Sequence, residues 1–161
     1  MKKTPFVPEN FVVPSVLETE RFRLRMLSVE DVEKDYEAVM ETQAYFHSWG
    51  STWPREGFTI EENLDDLEQH QQEFQDRKAF AYTVVSLDEE RVLGCVYINP
   101  TEREGADAVA NMWVRQSEYD QGMDPVLFQT VRDWLVSSWP FSAVYYHGRE
   151  RGEMSLGLRI K

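Results

Sequence analysis

Between Trp113 and Leu135 the sequence WVRQSEYDQGMDPVLFQTVRDWL sets a short polar loop between a β-rich run and a helical stripe. A loop that opens a helix leaves free backbone N–H groups at the positive end of the helix dipole, which is the chemistry of an anion site. Gly122 is the glycine of that loop, and a plain turn residue ahead of a helix explains it equally well. Asp124 is of the type that caps a helix, while Pro125 fits a first turn and removes one amide donor. A second group stands upstream, where Phe46, His47, Trp49, Trp53 and Phe58 share a connection with Gly50, Pro54 and Gly57. Such rings can hold the carbon chain of an amine or stack on its cation, and a satellite core beneath a long loop accounts for them just as well. From Glu61 to Asp76 seven acids follow without a Lys or Arg. That run reads as a solvated helix face, with steering of a cationic substrate as the sharper alternative.

Other chemistries are disfavoured. His47, His70 and His147 have no mutual metal-ligand spacing, so no metal is expected. Cys95 is the single cysteine and lies in the apolar run from Val92 to Ile98, which reads as a buried structural thiol. Seventeen basic residues against 29 acidic ones give a net charge of −12, which repels nucleic acid and anionic lipid surfaces. No apolar run reaches the roughly 18 residues of a membrane span, and Met1 to Asn10 lacks a signal-peptide core. A cytoplasmic protein is expected.

These residues need elements to position them. Met1 to Ser15 carries Pro5, Pro8 and Pro14 without periodicity, so residues 1–19 are expected as an irregular arm and 20–161 as one domain. Phe22, Leu24 and Met26 alternate with Arg21, Arg23 and Arg25, predicting a half-buried strand from Glu20 to Leu27. Ser28 with Asp31 opens a helix predicted to run to about Met40, and Thr59 with Glu62 opens a second whose face is Ile60, Leu64, Leu67 and Phe74. Ala79 to Ser86 and Arg91 to Asn99 predict an antiparallel hairpin, and Ala106 to Arg115 a further strand. Leu127, Val131, Trp134 and Leu135 mark a helix that ends before Pro140, and Phe141 to His147 reads as a last strand, parallel to the preceding one. The predicted order is βααβββαβ.

That order, with the loop at Gly122, resembles the GNAT superfamily of acyl-CoA-dependent N-acyltransferases over roughly Glu20 to His147. The resemblance implies a mixed α/β fold: a mostly antiparallel sheet, a central splayed parallel strand pair and helices on both faces. It also implies acetyl-CoA as co-substrate and a small-molecule or peptide amine as acceptor, with a homodimer as a further expectation. In the family a loop of Gln or Arg, two residues, Gly, one residue, then Gly or Ala cradles the cofactor's pyrophosphate. Here Tyr119, Gly122 and Asp124 occupy those positions, and only Gly122 matches. The implied cofactor-binding set is Trp113, Val114, Arg115, Gln121, Gly122, Met123 and Asp124, with the backbone amide of Val114 or its neighbour meeting the thioester carbonyl. Tyrosine often serves the family as the acid for the departing thiol, which singles out Tyr145 and Tyr146, of which at most one can face the cleft. Asn111 holds a strand position where an acid would serve as base. His47, Trp49 and Trp53 fall where the family builds its acceptor wall. The family normally adds a fourth helix and two strands after the last strand here, so the chain reads as a C-terminally shortened member, with Ser155 and Leu156 similar to the start of that helix. The competing reading is a non-catalytic GNAT-like binding or dimerisation protein whose loop no longer holds coenzyme A.

Overall fold

A computed structural model describes residues 4–149, so the expectations for Ser155, Leu156 and the chain's C-terminal end lie outside the described residues. The strands are β1 (Val16–Glu18), β2 (Arg23–Met26), β3 (Phe80–Val85), β4 (Val92–Asn99), β5 (Ala108–Val114) and β6 (Val144–Tyr146). They form one sheet in sequence order, antiparallel throughout except for the parallel pair β5–β6. The helices are α1 (Val32–Ser48), α2 (Ile60–Gln75), the single turn α3 (Gln116–Tyr119) and α4 (Met123–Ser138).

Strand alternation divides the core in two. Leu24, Tyr82, Val96, Ala110 and Met112 pack with Leu127, Val131 and Leu135 of α4, whereas Ala81, Val85, Cys95 and Trp113 pack with Ala38, Val39 and Phe46 of α1 and Leu67 of α2. Helices therefore cover both faces. Cys95 is 1% exposed, and burial pushes its thiol well above the usual range. Among the described residues no helix is long and apolar enough to cross a membrane.

Local chemistry explains the ends of the elements. Thr59 and Glu62 exchange the two bonds of a capping box, the Thr59 hydroxyl accepting from the Glu62 amide at 3.1 Å. Ser28 caps a 3₁₀ turn at Val29–Asp31 that leads into α1, accepting from the Glu30 amide at 3.1 Å. Asp107 starts β6 by accepting from the amides of Ser142 and Ala143 at 2.9 and 3.0 Å.

Three expectations need correction. Part of the supposed irregular arm is β1, which pairs with β2 because the extended Val16–Glu18 can satisfy its backbone there, and Val7 is buried in the core at 2% exposure. α1 continues two turns past Met40 because no breaker precedes Gly50 and Phe46 extends the apolar stripe. β6 is shorter than the apolar run from Phe141 to His147, since its first residues follow Asp107 rather than the ladder.

The β4–β5 ladder leaves no room at Gly94. A β-carbon there would collide with the Trp113 carbonyl oxygen and stand 3.0 Å from Val114 Cα. Gly94→Ala must push the end of β5 away, and overpacking of this kind costs about 3 kcal/mol. A lower urea midpoint at unchanged slope is the expected result, and an unchanged midpoint would mean that the two strands do not approach as described.

Candidate functional site

β5 outruns its parallel neighbour. Pairing stops at Ala110↔Tyr146, whereas β5 continues to Val114. The Arg115 amide donates to the Leu93 carbonyl at 2.7 Å, so in this antiparallel ladder the odd-numbered residues turn their backbone groups toward β4. Met112 and Val114 then turn theirs to the side that β6 has left. Two bonds on that side agree: the His147 amide donates to the Ala110 carbonyl at 3.2 Å, and Arg149 Nη2 to the Met112 carbonyl at 2.9 Å. The Val114 N–H therefore faces the splay.

A cavity of about 960 Å³ opens on this edge. Its walls are Phe46, Trp49 and Trp53 on one side, Tyr97, Asn111 and Trp113 on the sheet, and Asp35, Asn63, Asp66 and His70 from α1 and α2, with Tyr119, Asp124 and Arg149 at its rim. Trp113 is fixed from two sides, its Nε1 donating to the Tyr97 hydroxyl at 3.2 Å and its ring meeting Phe46 edge-on at 5.3 Å. Trp53 is wedged between Phe46 and Phe58 at 5.5 and 5.9 Å, whereas Trp49 is 55% exposed and leans on Tyr45 and Tyr119. His47 does not line the cavity; its Nε2 bonds the Pro54 carbonyl at 2.6 Å, and Gln43 Nε2 reaches the same carbonyl at 3.2 Å, so both pin the loop that presents the tryptophans.

The α4 terminus departs from expectation in detail. Gly122, at φ 85°, is the cap itself, a left-handed conformation that suits glycine. Asp124 is the second helical residue and pairs with Arg149, whose guanidinium also holds the Met112 carbonyl. Pro125 has no N–H, so the first turn offers the amides of Met123 and Asp124. The Met123 side chain is core, 2% exposed, and Gln121 lies exposed outside the cavity.

Several expected site residues serve the fold instead. Arg115 is 3% exposed and is used internally: its guanidinium binds Glu41 at 2.7 Å, Glu37 at 3.0 Å and the Val92 carbonyl at 3.0 Å, so it is turned into the fold rather than toward a phosphate. Arg115 first, with the amide and hydroxyl of Ser117, holds the Glu41 carboxyl down at about 2. Tyr146 packs edge-on against Phe128 at 5.2 Å beneath α4, and burial pushes its hydroxyl up to about 12. It faces away from the cavity because strand neighbours alternate. Tyr145 is on the cavity's side of the sheet but opposite Val109, with the Arg103 guanidinium 3.9 Å from its ring centre, and it does not line the cavity. Asn111 does. Among the described residues no group of three or more His, Cys, Asp or Glu is placed to hold a metal ion.

Sequence reasoning missed Asp35 and Arg149. Asp35 is 4% exposed on α1, and burial first, then Asp31 and Asp66, push its carboxyl up to about 6 against the opposing Asn63 bond at 2.9 Å. The signal was present: Asp35 and Asn63 are polar residues standing on the apolar faces of their helices. Arg149 follows the last strand in a segment without periodicity, and nothing in the sequence marks it.

The folded state holds the Asp35 proton more tightly than the unfolded chain, whose carboxyl titrates near 3.8. Ionised Asp35 thus subtracts stability above about pH 6, by roughly 3 kcal/mol for a shift of about two units, and the subtraction fades as pH falls from 6 to 4. Asp35→Asn keeps an acceptor for Asn63 and should raise stability at pH 7.5 by up to that amount while changing little at pH 4. Denaturant titrations at both pH values test this, and a destabilised variant at pH 7.5 would contradict it.

No family profile and no curated protein matches this sequence. Solved structures do. A ribosomal-protein-S5-alanine acetyltransferase from Vibrio fischeri superposes at TM-score 0.67, with 19% identity over 81% of this chain and 72% of that one. The microcin C7 self-immunity acetyltransferase MccE, solved with acetyl-CoA and AMP, gives 0.65, 15%, 83% and 73% for the same quantities. An acetyltransferase from Thermus thermophilus gives 0.59, 15%, 81% and 77%. With its β5–β6 splay and helices on both faces of the sheet, this chain has the fold of the GNAT acetyltransferases, in a sequence far diverged from the solved examples.

Proposed function

We propose that this protein is an N-acyltransferase that uses acetyl-CoA to acetylate an amine. The observation that carries the reading is the edge of β5 beyond its pairing with β6, where Met112 and Val114 turn their backbone groups toward the splay beside the cavity and a helix N-terminus. The fold match to acetyltransferases supports it.

The residues present fit such a co-substrate. The edge at Met112 and Val114 would take its extended arm by strand-like bonds, and the Met123 and Asp124 amides would receive the pyrophosphate. Asp124 alone would repel that charge, but Arg149 stands against its carboxylate and supplies the compensating cation. Bound acetyl-CoA supplies an activated acetyl thioester. Val114 would then donate its N–H to the carbonyl oxygen as charge develops there, a contact that works best in a dry, preorganised site. The Tyr97 hydroxyl stays protonated, since burial pushes it well above its ordinary range, and with Tyr119 it is one of two phenols lining the cavity that would serve as proton donors to the departing thiolate.

A second reading has its own observation. Arg149 holds both Asp124 and the Met112 carbonyl, so the same contacts can close the slot and leave a GNAT-like binding protein without coenzyme A.

Calorimetric titration with acetyl-CoA separates the two. Binding is expected, tightened about tenfold in Asp124→Asn, because Arg149 is released toward the pyrophosphate and one repelling charge is gone; a tenfold change is about 1.4 kcal/mol. Arg149→Ala should weaken it by a similar factor. No heat from the wild type and either variant supports the second reading.

The tryptophans give a separate test of the acceptor wall. Trp49→Ala should leave the denaturation midpoint nearly unchanged, since the ring is more than half exposed, yet raise the KM for an amine acceptor. Trp53→Ala, which also removes the ring between Phe46 and Phe58, should lower both affinity and stability. Equal KM values for Trp49→Ala and the wild type would remove Trp49 from the wall.

A further inference from the structure

The buried wall of the cavity contains a charge that the fold does not neutralise. Asp35 and Asn63 are 4% and 1% exposed, and both line the cavity. Asn63 Nδ2 donates to Asp35 Oδ2 at 2.9 Å, and among the described residues no donor reaches Asp35 Oδ1. The titratable groups around this carboxylate are Asp31 from the turn before α1, Asp66 from α2, and Cys95 and Tyr97 from β4. None is a cation. Asp31 is itself bonded to Arg25 at 2.6 and 3.0 Å, and His70, also in the cavity wall, interacts with Asp66.

A buried carboxylate without a cation costs stability, and the same chain shows the alternative at Arg115, where every buried charge is matched. The rings of Phe46, Trp53, Tyr97 and Trp113 line the same cavity as Asp35, and aromatic faces attract cations. A ligand that completes this arrangement carries a positive head and an apolar body.

We propose that the cavity binds a small primary ammonium on an apolar body, with Asp35 as its charged anchor and the aromatic wall around the body. As an acyl acceptor this ligand rests on the acyltransferase reading; its binding does not. Peptide and polycationic acceptors fit less well, because Asp35 is the one buried carboxylate of the cavity wall, and beside apolar rings it matches one ammonium rather than a backbone or a row of charges. Asp66 adds a second negative potential toward the opening and favours entry of a cation.

Benzylammonium, benzyl alcohol and benzoate share one body and differ in charge, so calorimetric titration of the full chain with each, without acetyl-CoA, isolates the charged contact. At pH 7.5 benzylammonium is expected to bind at least tenfold more tightly than benzyl alcohol, with no binding of benzoate. Its affinity should fall severalfold between pH 7.5 and 5 as the Asp35 carboxylate takes up a proton. Asp35→Asn should lose tenfold or more for benzylammonium, leave benzyl alcohol unchanged and flatten the pH profile. Equal affinities for amine and alcohol, or an unchanged affinity in Asp35→Asn, would overturn the proposal, and the wild-type probe series stands even where a variant fails to fold. Binding of benzylammonium without acetyl-CoA binding keeps this site and removes the acyltransferase reading; the reverse outcome removes this site alone.

Discussion

The guanidinium of Arg115 ties the end of β5 to α1 through Glu37 and Glu41, and to β4 through the Val92 carbonyl. Around it the Ser117 amide donates to Glu41 at 2.8 Å and the Gln116 amide to Thr42 at 3.1 Å, so the chain leaving β5 is fixed at both its side chain and its backbone. The consequence reaches the cavity. α1 carries Asp35 one way from this junction and Phe46 and Trp49 the other, while β5 carries Trp113 and Val114. Their mutual positions depend on one ion-pair network in which the arginine is buried and its carboxylate partners are partly exposed.

Two buried charges are thus treated in opposite ways. Arg115 is paired with two carboxylates and a carbonyl, and Glu41 beside it is held at about 2, so the pair adds stability at neutral pH and yields only as pH falls from 4.5 toward 2. Asp35 is held by one amide, and its carboxyl is pushed up instead. A fold able to match one buried charge completely has the means to match the other. That contrast separates a structural charge from one whose partner arrives from outside.

How much of this the sequence disclosed follows the range of the forces involved. Period-two alternation from Phe22 to Met26, the capping box at Thr59 and Glu62 and the stripe from Leu127 to Leu135 are local, and each produced its element. The parallel β5–β6 pair was legible from the helix between two β-rich runs. The two last turns of α1 were not, because Glu41 and Thr42 break the apolar pattern for the sake of residues more than seventy positions away. The same blindness touched the site. Trp49, Trp53, Asn111, Trp113, Val114 and Asp124 meet at one cavity, but Arg115 and Tyr146 satisfy long-range contacts that no spacing encodes, and Tyr145 falls opposite Val109 because β6 is short.

The departure of the α4 loop from the familiar glycine pattern has a physical counterpart in Arg149. An aspartate at the second helical position is favourable to the helix dipole and unfavourable to an incoming anion, so by itself it would trade binding for helix stability. A guanidinium set against it changes that balance, since the pair is near neutral and the cation remains at the mouth of the splay. The second Arg149 bond, to the Met112 carbonyl, joins the helix terminus to the free edge of β5. One side chain thereby couples the two surfaces that an acyl-CoA would have to engage together, the edge that takes an extended arm and the terminus that takes its charge. On the acyltransferase reading, the aspartate in place of the second glycine would shift the anion site from backbone to side chain, with the geometry of the splay kept.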